Sequence, residues 1–409
     1  MPKASAILRR SLFAVLLVCC GIGYARAAPD EELLGKELGY PVGTRTTWFF
    51  DERVRVGSFS HLDSILPHQI LPRADKPREL PAAATPPAYI YQGRTIDDFL
   101  ARRRVTGLMV IKDGVVQVER YQYDRTPAQR LLSNSMAKSI TSIAVGMALQ
   151  EGRIRSLDDN AAVYVPELAG SAYGETPIRA LLRMGSGVKF SERYDSGDDL
   201  MKYVSRQFSD GTIAALRSFG ARDVPAGQRF QYASVETIVL GLVVKGATGQ
   251  GLSAYVTERL WQPMGAEADA TWTVDPGGFE YAWGNFNATL RDWGRLAMLL
   301  ADDGMRDGKQ IIPRNYLLEA TDFRRQPAAF APGTATPYYG YGYQFWTYPG
   351  SSRRFALLGV FGQSIFVDPQ LRLALIITAV QRDPTSTADG FGAERNALWR
   401  SIVESYGSW

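Results

Sequence analysis

The chain has 409 residues, 45% of them apolar, which suffices for one large domain or two ordinary ones. Lys and Arg exceed Asp and Glu by 46 − 42 = 4, an excess supplied by Lys3, Arg9, Arg10 and Arg26; the neutral remainder argues against a nucleic-acid partner. Cys19 and Cys20 lie in that same leader and only His61 and His68 are present, which excludes later disulfides, a cysteine nucleophile and HExxH zinc sites, so no metal or organic cofactor is expected.

Residues 1–27 read as a secretory signal. Basic residues precede an apolar run at 12–23, and Ala25-Arg26-Ala27 supplies a small-x-small cleavage site. Cleavage after Ala27 and a periplasmic or secreted product are expected. The run is short for a membrane span, and no other segment resembles one. Lipid attachment at Cys19 or Cys20 is disfavoured, because Val18 or Cys19 fills the position that needs a small residue. Residues 28–95 carry eight prolines and read as an irregular arm. Its two histidines are assigned ordinary polar or packing roles.

Residues 96–409 then read as one domain, with a mostly helical insertion over about 155–300. Strands at 107–111 and 115–121 flank Asp113-Gly114, a hairpin turn. A helix follows at 135–150, with Met136, Ile140, Ile143 and Met147 on one stripe and Ser135, Lys138, Ser139 and Ser142 on another. Further helices are predicted at 178–184, 235–245 (behind an N-cap-like Ser234), 252–261 and 290–302. Strands are predicted at 342–347, 355–358, 363–367 and 371–380, and a last helix at 394–406. Strands at both ends around a helical middle give an α+β fold with one antiparallel sheet built from both chain ends.

Without cysteine, and with histidine confined to the arm, the remaining nucleophile is a serine activated by lysine. Ser135-Met136-Ala137-Lys138 offers that pair at a helix start, where both side chains share a face and the helix N-terminus favours an oxyanion. Burial would lower the lysine pKa. Ser135 could alternatively be a plain N-cap. A second copy, Ser186-Gly187-Val188-Lys189, is assigned to a loop because Gly187 and Val188 disfavour a helix start. Tyr232-Ala233-Ser234 adds a phenol that can share the proton and a small hydroxyl that can bond substrate or lysine.

These motifs resemble the serine β-lactamase and penicillin-recognising superfamily, on its class C side. Ser135–Lys138 is similar to its first motif, and Tyr232-Ala233-Ser234 to its Tyr-x-Asn motif with Ser for Asn. The runs at 150–159, 284–293 and 359–369 resemble later landmarks, and the likeness covers about residues 95–405. Within the superfamily, the run 184–194 and the Gly-x-x-Gly-Gln sequence at 359–363 look most like the 6-aminohexanoate-dimer hydrolase and esterase branch. The resemblance implies a β-lactamase/transpeptidase-like α+β (α/β sandwich) fold. It also implies attack by Ser135, proton transfer by Lys138 and Tyr232, and an acyl-enzyme. The oxyanion would be held by the backbone N–H groups of Ser135 and Gln363. Tyr194, Ser234, Phe361 and Gly362 are expected to contact substrate.

The third motif aligns with Val360-Phe361-Gly362, where relatives commonly have Lys-Thr-Gly or His-x-Gly. An apolar pair cannot hold a substrate carboxylate, and Arg353 and Arg354 upstream read as solvated strand-end charges. A neutral ester or small linear amide is therefore the expected substrate. A class C-like β-lactamase, a D-Ala-D-Ala peptidase or a silent penicillin-binding-like protein are the alternatives. Trp283, Trp293, Trp346 and Phe361 are candidates for an apolar acyl pocket, against the commoner core role of large aromatics. The sequence leaves the oligomeric state open.

Overall fold

A computed structural model of the chain describes residues 27–195 and 197–409. The leader, including Cys19 and Cys20 and all of the signal reading except Ala27, lies outside the described residues. The principal strands, in chain order, are β1 (His68–Leu71), β2 (Val105–Lys112), β3 (Val115–Tyr121), β4 (Arg130–Leu132), β5 (Ala270–Thr273) and β6 (Phe286–Thr289). They continue as β7 (Gly340–Tyr341), β8 (Trp346–Thr347), β9 (Phe355–Gly359), β10 (Gln363–Asp368) and β11 (Leu373–Ala379).

Seven strands form one antiparallel sheet in the order β3-β2-β11-β10-β9-β8-β7, joining the two ends of the chain as the sequence predicts. Period-two alternation sorts its side chains. Met109, Ile111, Ile365, Val367 and Ile376 enter one apolar core, while Leu108, Val110, Phe366, Leu375 and Ile377 enter the other. The β2–β3 turn places Asp113 at φ 52° and Gly114 at φ 80°, the left-handed pair that a two-residue hairpin of this twist requires.

Helices cover both faces. Five of them matter for the site: α1 (Ala137–Gln150), α2 (Asp199–Asp210), α3 (Ser234–Thr248), α4 (Leu290–Ala301) and α5 (Phe391–Glu404). α4 packs with α1 and α3 in the first core, and α5 closes the second through Phe391, Leu398, Trp399 and Ile402. The hydroxyl stripe of α1 is buried rather than solvated. Ser139, Thr141 and Ser142 donate to the carbonyls of Gln344, Ala282 and Tyr343 at 2.6–2.7 Å, so each of these buried hydroxyls has a partner.

A second sheet, β1-β5-β6-β4, which the sequence analysis missed, draws two of its strands, β5 and β6, from the helical middle. Its strands are only three or four residues long, and β5 and β6 are wholly buried, so no alternation marks them. Through β1 the 28–95 segment joins that sheet. Its Leu34, Val56, Phe59 and Leu62 form a third apolar cluster with Leu132, Phe361 and Val380. Arg353 and Arg354 are not solvated strand-end charges. Arg354 is buried in an ion pair with Asp368 at 2.6 Å, and Arg353 binds Asp303 and the Thr321 hydroxyl.

Candidate active site

Ser135 lies in a one-turn helix, Asn134–Met136, that runs directly into α1. Asn134 takes φ 43°, a left-handed conformation that asparagine tolerates, and its Nδ2 donates to the Val360 carbonyl at 3.0 Å. Ser133 secures the other side: its N–H donates to the Phe286 carbonyl, and the Phe286 N–H donates to its hydroxyl. The nucleophile's turn is thus clamped between β6 and the end of β9. Gly359 permits that approach. A Cβ there would lie 2.5 Å from the Ser133 carbonyl oxygen and 3.0 Å from the Ser135 nitrogen.

The Ser135 hydroxyl does not act as an N-cap; it accepts a hydrogen bond from Lys138 Nζ at 2.9 Å. The same amine donates to the Trp283 carbonyl at 3.0 Å, which aims it at the serine. Lys138 is only 1% exposed, and burial brings its pKa from 10.5 down to about 8, against an opposing pull from the Glu192 carboxylate. Its Nζ stands 5.0 Å from the centroid of the Tyr232 ring. Burial and Glu192 push the Tyr232 phenol well above its ordinary pKa of 10, while the Ser135 hydroxyl beside it pulls the other way. Tyr232 is therefore a neutral phenol, stacked on Trp346 with ring centroids 5.7 Å apart.

Glu192 is a candidate site residue that sequence analysis missed. It accepts from the Ser234 N–H at 2.7 Å, from the Ser234 hydroxyl at 2.8 Å and from the Tyr194 hydroxyl at 2.8 Å. A signal existed, since Glu192 lies two residues before Tyr194 in a run already singled out. Tyr194 itself takes φ 63°, a turn held by Asp198 Oδ2 accepting its N–H at 2.6 Å.

Two cavities meet at Ser135. The first, of about 360 Å³, is walled by the arm (Trp48, Phe49, Phe50, Leu66), by α2 (Leu200, Met201, Val204, Phe208) and by Trp283 and Asn285. The second, of about 570 Å³, holds Tyr232, Glu192 and Trp346, with Tyr338, Tyr339 and hydroxyls from Thr385 to Thr387. Ser135, Tyr194 and Val360 border both.

The sequence-predicted residues divide accordingly. Ser135, Lys138, Tyr232 and Tyr194 come together, and Trp283 and Trp346 line opposite cavities. Ser234 does not face substrate space: it is fully buried at the first turn of α3, its side chain spent on Glu192 and capping nothing. Phe361 is also misplaced by the sequence reading. It is 3% exposed and packs on Phe49, Phe59 and the Arg55 guanidinium. Gly362, at φ 99°, faces Phe391, Ala379 and Gln381. Gln363 is 1% exposed, and its amide bonds the Ala379 backbone. None of the three lines either cavity; Val360 does. The reason is a left-handed kink at Phe361 (φ 61°), which turns the chain inward directly after Val360. Trp293 is buried in the α4 core, and the imidazole rings of His61 and His68 each bond a backbone carbonyl of the arm.

Among the described residues no cluster of three metal-ligating side chains occurs, and no helix is long and apolar enough to cross a membrane.

The chain has relatives among known proteins. The Beta-lactamase family model matches residues 93–398. The 6-aminohexanoate-dimer hydrolase of Paenarthrobacter ureafaciens is 26% identical over 80% of this chain and 86% of its own. A solved structure from Bacillus anthracis, described provisionally as a 6-aminohexanoate-dimer hydrolase, superposes with TM-score 0.76 at 21% identity. That match covers 87% of this chain and 95% of the other. EstCE1, a hydrolase with promiscuous acyltransferase activity, superposes with TM-score 0.58 at 15% identity over 72% of this chain and 94% of its own.

Proposed function

The chain belongs to the β-lactamase family, and from that premise we propose that it is an exported serine hydrolase cleaving small linear amides or esters through an acyl-enzyme on Ser135. The observation that carries this reading is the 2.9 Å contact between a buried Lys138 amine, held near a pKa of about 8, and the Ser135 hydroxyl. An amine with that pKa is neutral in a useful fraction near neutrality and can take the hydroxyl proton as Oγ attacks. Tyr232, a neutral phenol beside both groups, passes the proton on to the leaving oxygen or nitrogen. Water then attacks the acyl-enzyme by the reverse route.

The oxyanion is assigned to the backbone N–H groups of Ser135 and Val360, since Val360 rather than Gln363 borders the substrate space. Glu192 acts as a positioning residue, fixing Tyr194 and the start of α3 just behind Tyr232. A linear substrate suits the two cavities, one for each side of the scissile bond. The uncharged Val360-Phe361-Gly362 run argues against substrates recognised by a carboxylate, as β-lactams commonly are. The domain reading follows the same lines, with residues 28–95 as an arm and 96–409 as the hydrolase.

Initial rates on matched p-nitrophenyl esters, linear anilides and a chromogenic cephalosporin, for wild type and Ser135→Ala, test this. Hydrolysis of esters or anilides that disappears in Ser135→Ala is the expected result. Turnover of the cephalosporin alone would move the assignment to a β-lactamase, and no Ser135-dependent turnover of any kind would move it to a silent binding protein. The export reading rests on residues 1–27 alone, and the mass of the protein recovered from a native host would show or refute cleavage after Ala27.

A further inference from the structure

We propose that the cavity between the arm and α2 is an acyl pocket for an uncharged apolar chain, so that the substrate is an ester or amide of a medium-length aliphatic or aryl-aliphatic acid. This inference rests on the reading of Ser135 as an acylated nucleophile.

The assignment of sides follows from the proton. The leaving atom must receive a proton as the scissile bond breaks, and Tyr232 is the phenol placed to deliver it. Tyr232 lines the second cavity and not the first. The leaving group therefore occupies the second cavity, among hydroxyls and Glu192, and the acyl chain occupies the first.

The chemistry of the first cavity then selects the chain. Its walls are Trp48, Leu66, Leu200, Met201, Val204 and Val274, and of the described residues lining it only Arg45, exposed at the rim, carries a charge. A cationic end group would be stripped of water there with no carboxylate to meet it. A neutral chain gains at each methylene. The mouth continues the same surface outward, because Phe50 and Phe208 line it while remaining 55% and 60% exposed. Large aromatic side chains left half in solvent on both lips of one apolar cavity fit a chain long enough to cover them.

The test uses one leaving group throughout, with p-nitrophenyl acetate, butyrate, hexanoate and octanoate, and an ester whose chain ends in trimethylammonium. With the wild type, kcat/KM is expected to rise about threefold per methylene from acetate to hexanoate. The cationic ester should fall about thirtyfold or more below its neutral isostere. Val204→Asp, which puts a carboxylate in the wall, should narrow that gap about tenfold. Phe208→Ala, a surface change that folding tolerates, should cut the octanoate-to-acetate ratio about threefold or more. A flat series, or a cationic ester that matches hexanoate, would overturn the acyl-pocket assignment while leaving the hydrolase intact. Absence of Ser135-dependent hydrolysis of every ester would remove both.

Discussion

Ser135–Lys138 and Ser186–Lys189 share one four-residue pattern and meet opposite fates. In the first, a turn leading into α1 stacks the two side chains, and the amine reaches the hydroxyl at 2.9 Å. In the second, Gly187 takes a left-handed turn at φ 74° and Val188 forms a bridge with Arg222, so the backbone is not helical and Lys189 is exposed. Ser186 is turned inward and donates to Glu236 Oε1 at 2.6 Å. Spacing supplies a reactive pair only where the backbone is helical, because only then do residues three apart share a face. The second copy has become a structural tie between the 184–194 loop and α3.

Substitutions at the two lysines should break this symmetry most visibly. Lys138→Ala removes the proposed base and is expected to lower kcat/KM by about 10³-fold or more, whereas Lys189→Ala should stay within about twofold of wild type. Comparable losses at both positions would contradict the contrast.

Protonation sharpens it. In the proposed mechanism the neutral Lys138 amine is the active form, so kcat/KM should climb as pH rises through about 8. Glu192 is the charge that holds this value up, so Glu192→Gln should move the midpoint of the profile to lower pH while reducing the maximal rate. A midpoint that stays put or moves up would detach Glu192 from the lysine.

Much of this was legible in the sequence and some was not. The Asp113-Gly114 hairpin, the strands at both chain ends and the helix behind Ser135 follow from periodicity and turn chemistry, which are local. The second sheet was invisible because β5 and β6 are short and buried on both faces, leaving no alternation to read. Ser135, Lys138, Tyr232 and Tyr194 could be named from motifs. Val360 could not, since the kink at Phe361 that leaves Val360 bordering the cavities while the next residues turn inward is a feature of the folded backbone. The Trp48-Phe49-Phe50 cluster was a readable hint, three aromatics within a proline-rich arm, but its destination depends on tertiary docking.

The smallest expected effect on activity lies on the structural copy, where the readout is stability. Burial pushes Glu236 up to about 8, well above its unfolded value of 4.5. The folded state therefore holds a proton that the unfolded chain has lost, and this contribution to stability is complete below about pH 4.5 and disappears as pH rises through about 8. Glu236→Gln should flatten that dependence, the wild type losing up to about 5 kcal/mol relative to the variant between the two limits. Thermal melts across the range check this; parallel curves for the two proteins would show that Glu236 does not titrate as described.

The central claim, that one of two serines in the same pattern is activated, is tested most directly by the intact mass of the purified protein after exposure to a fluorophosphonate. A single adduct on the wild type, absent from Ser135→Ala and retained by Ser186→Ala, is the predicted result. An unmodified wild type, under conditions that label a control serine hydrolase, or an adduct that persists in Ser135→Ala would contradict it.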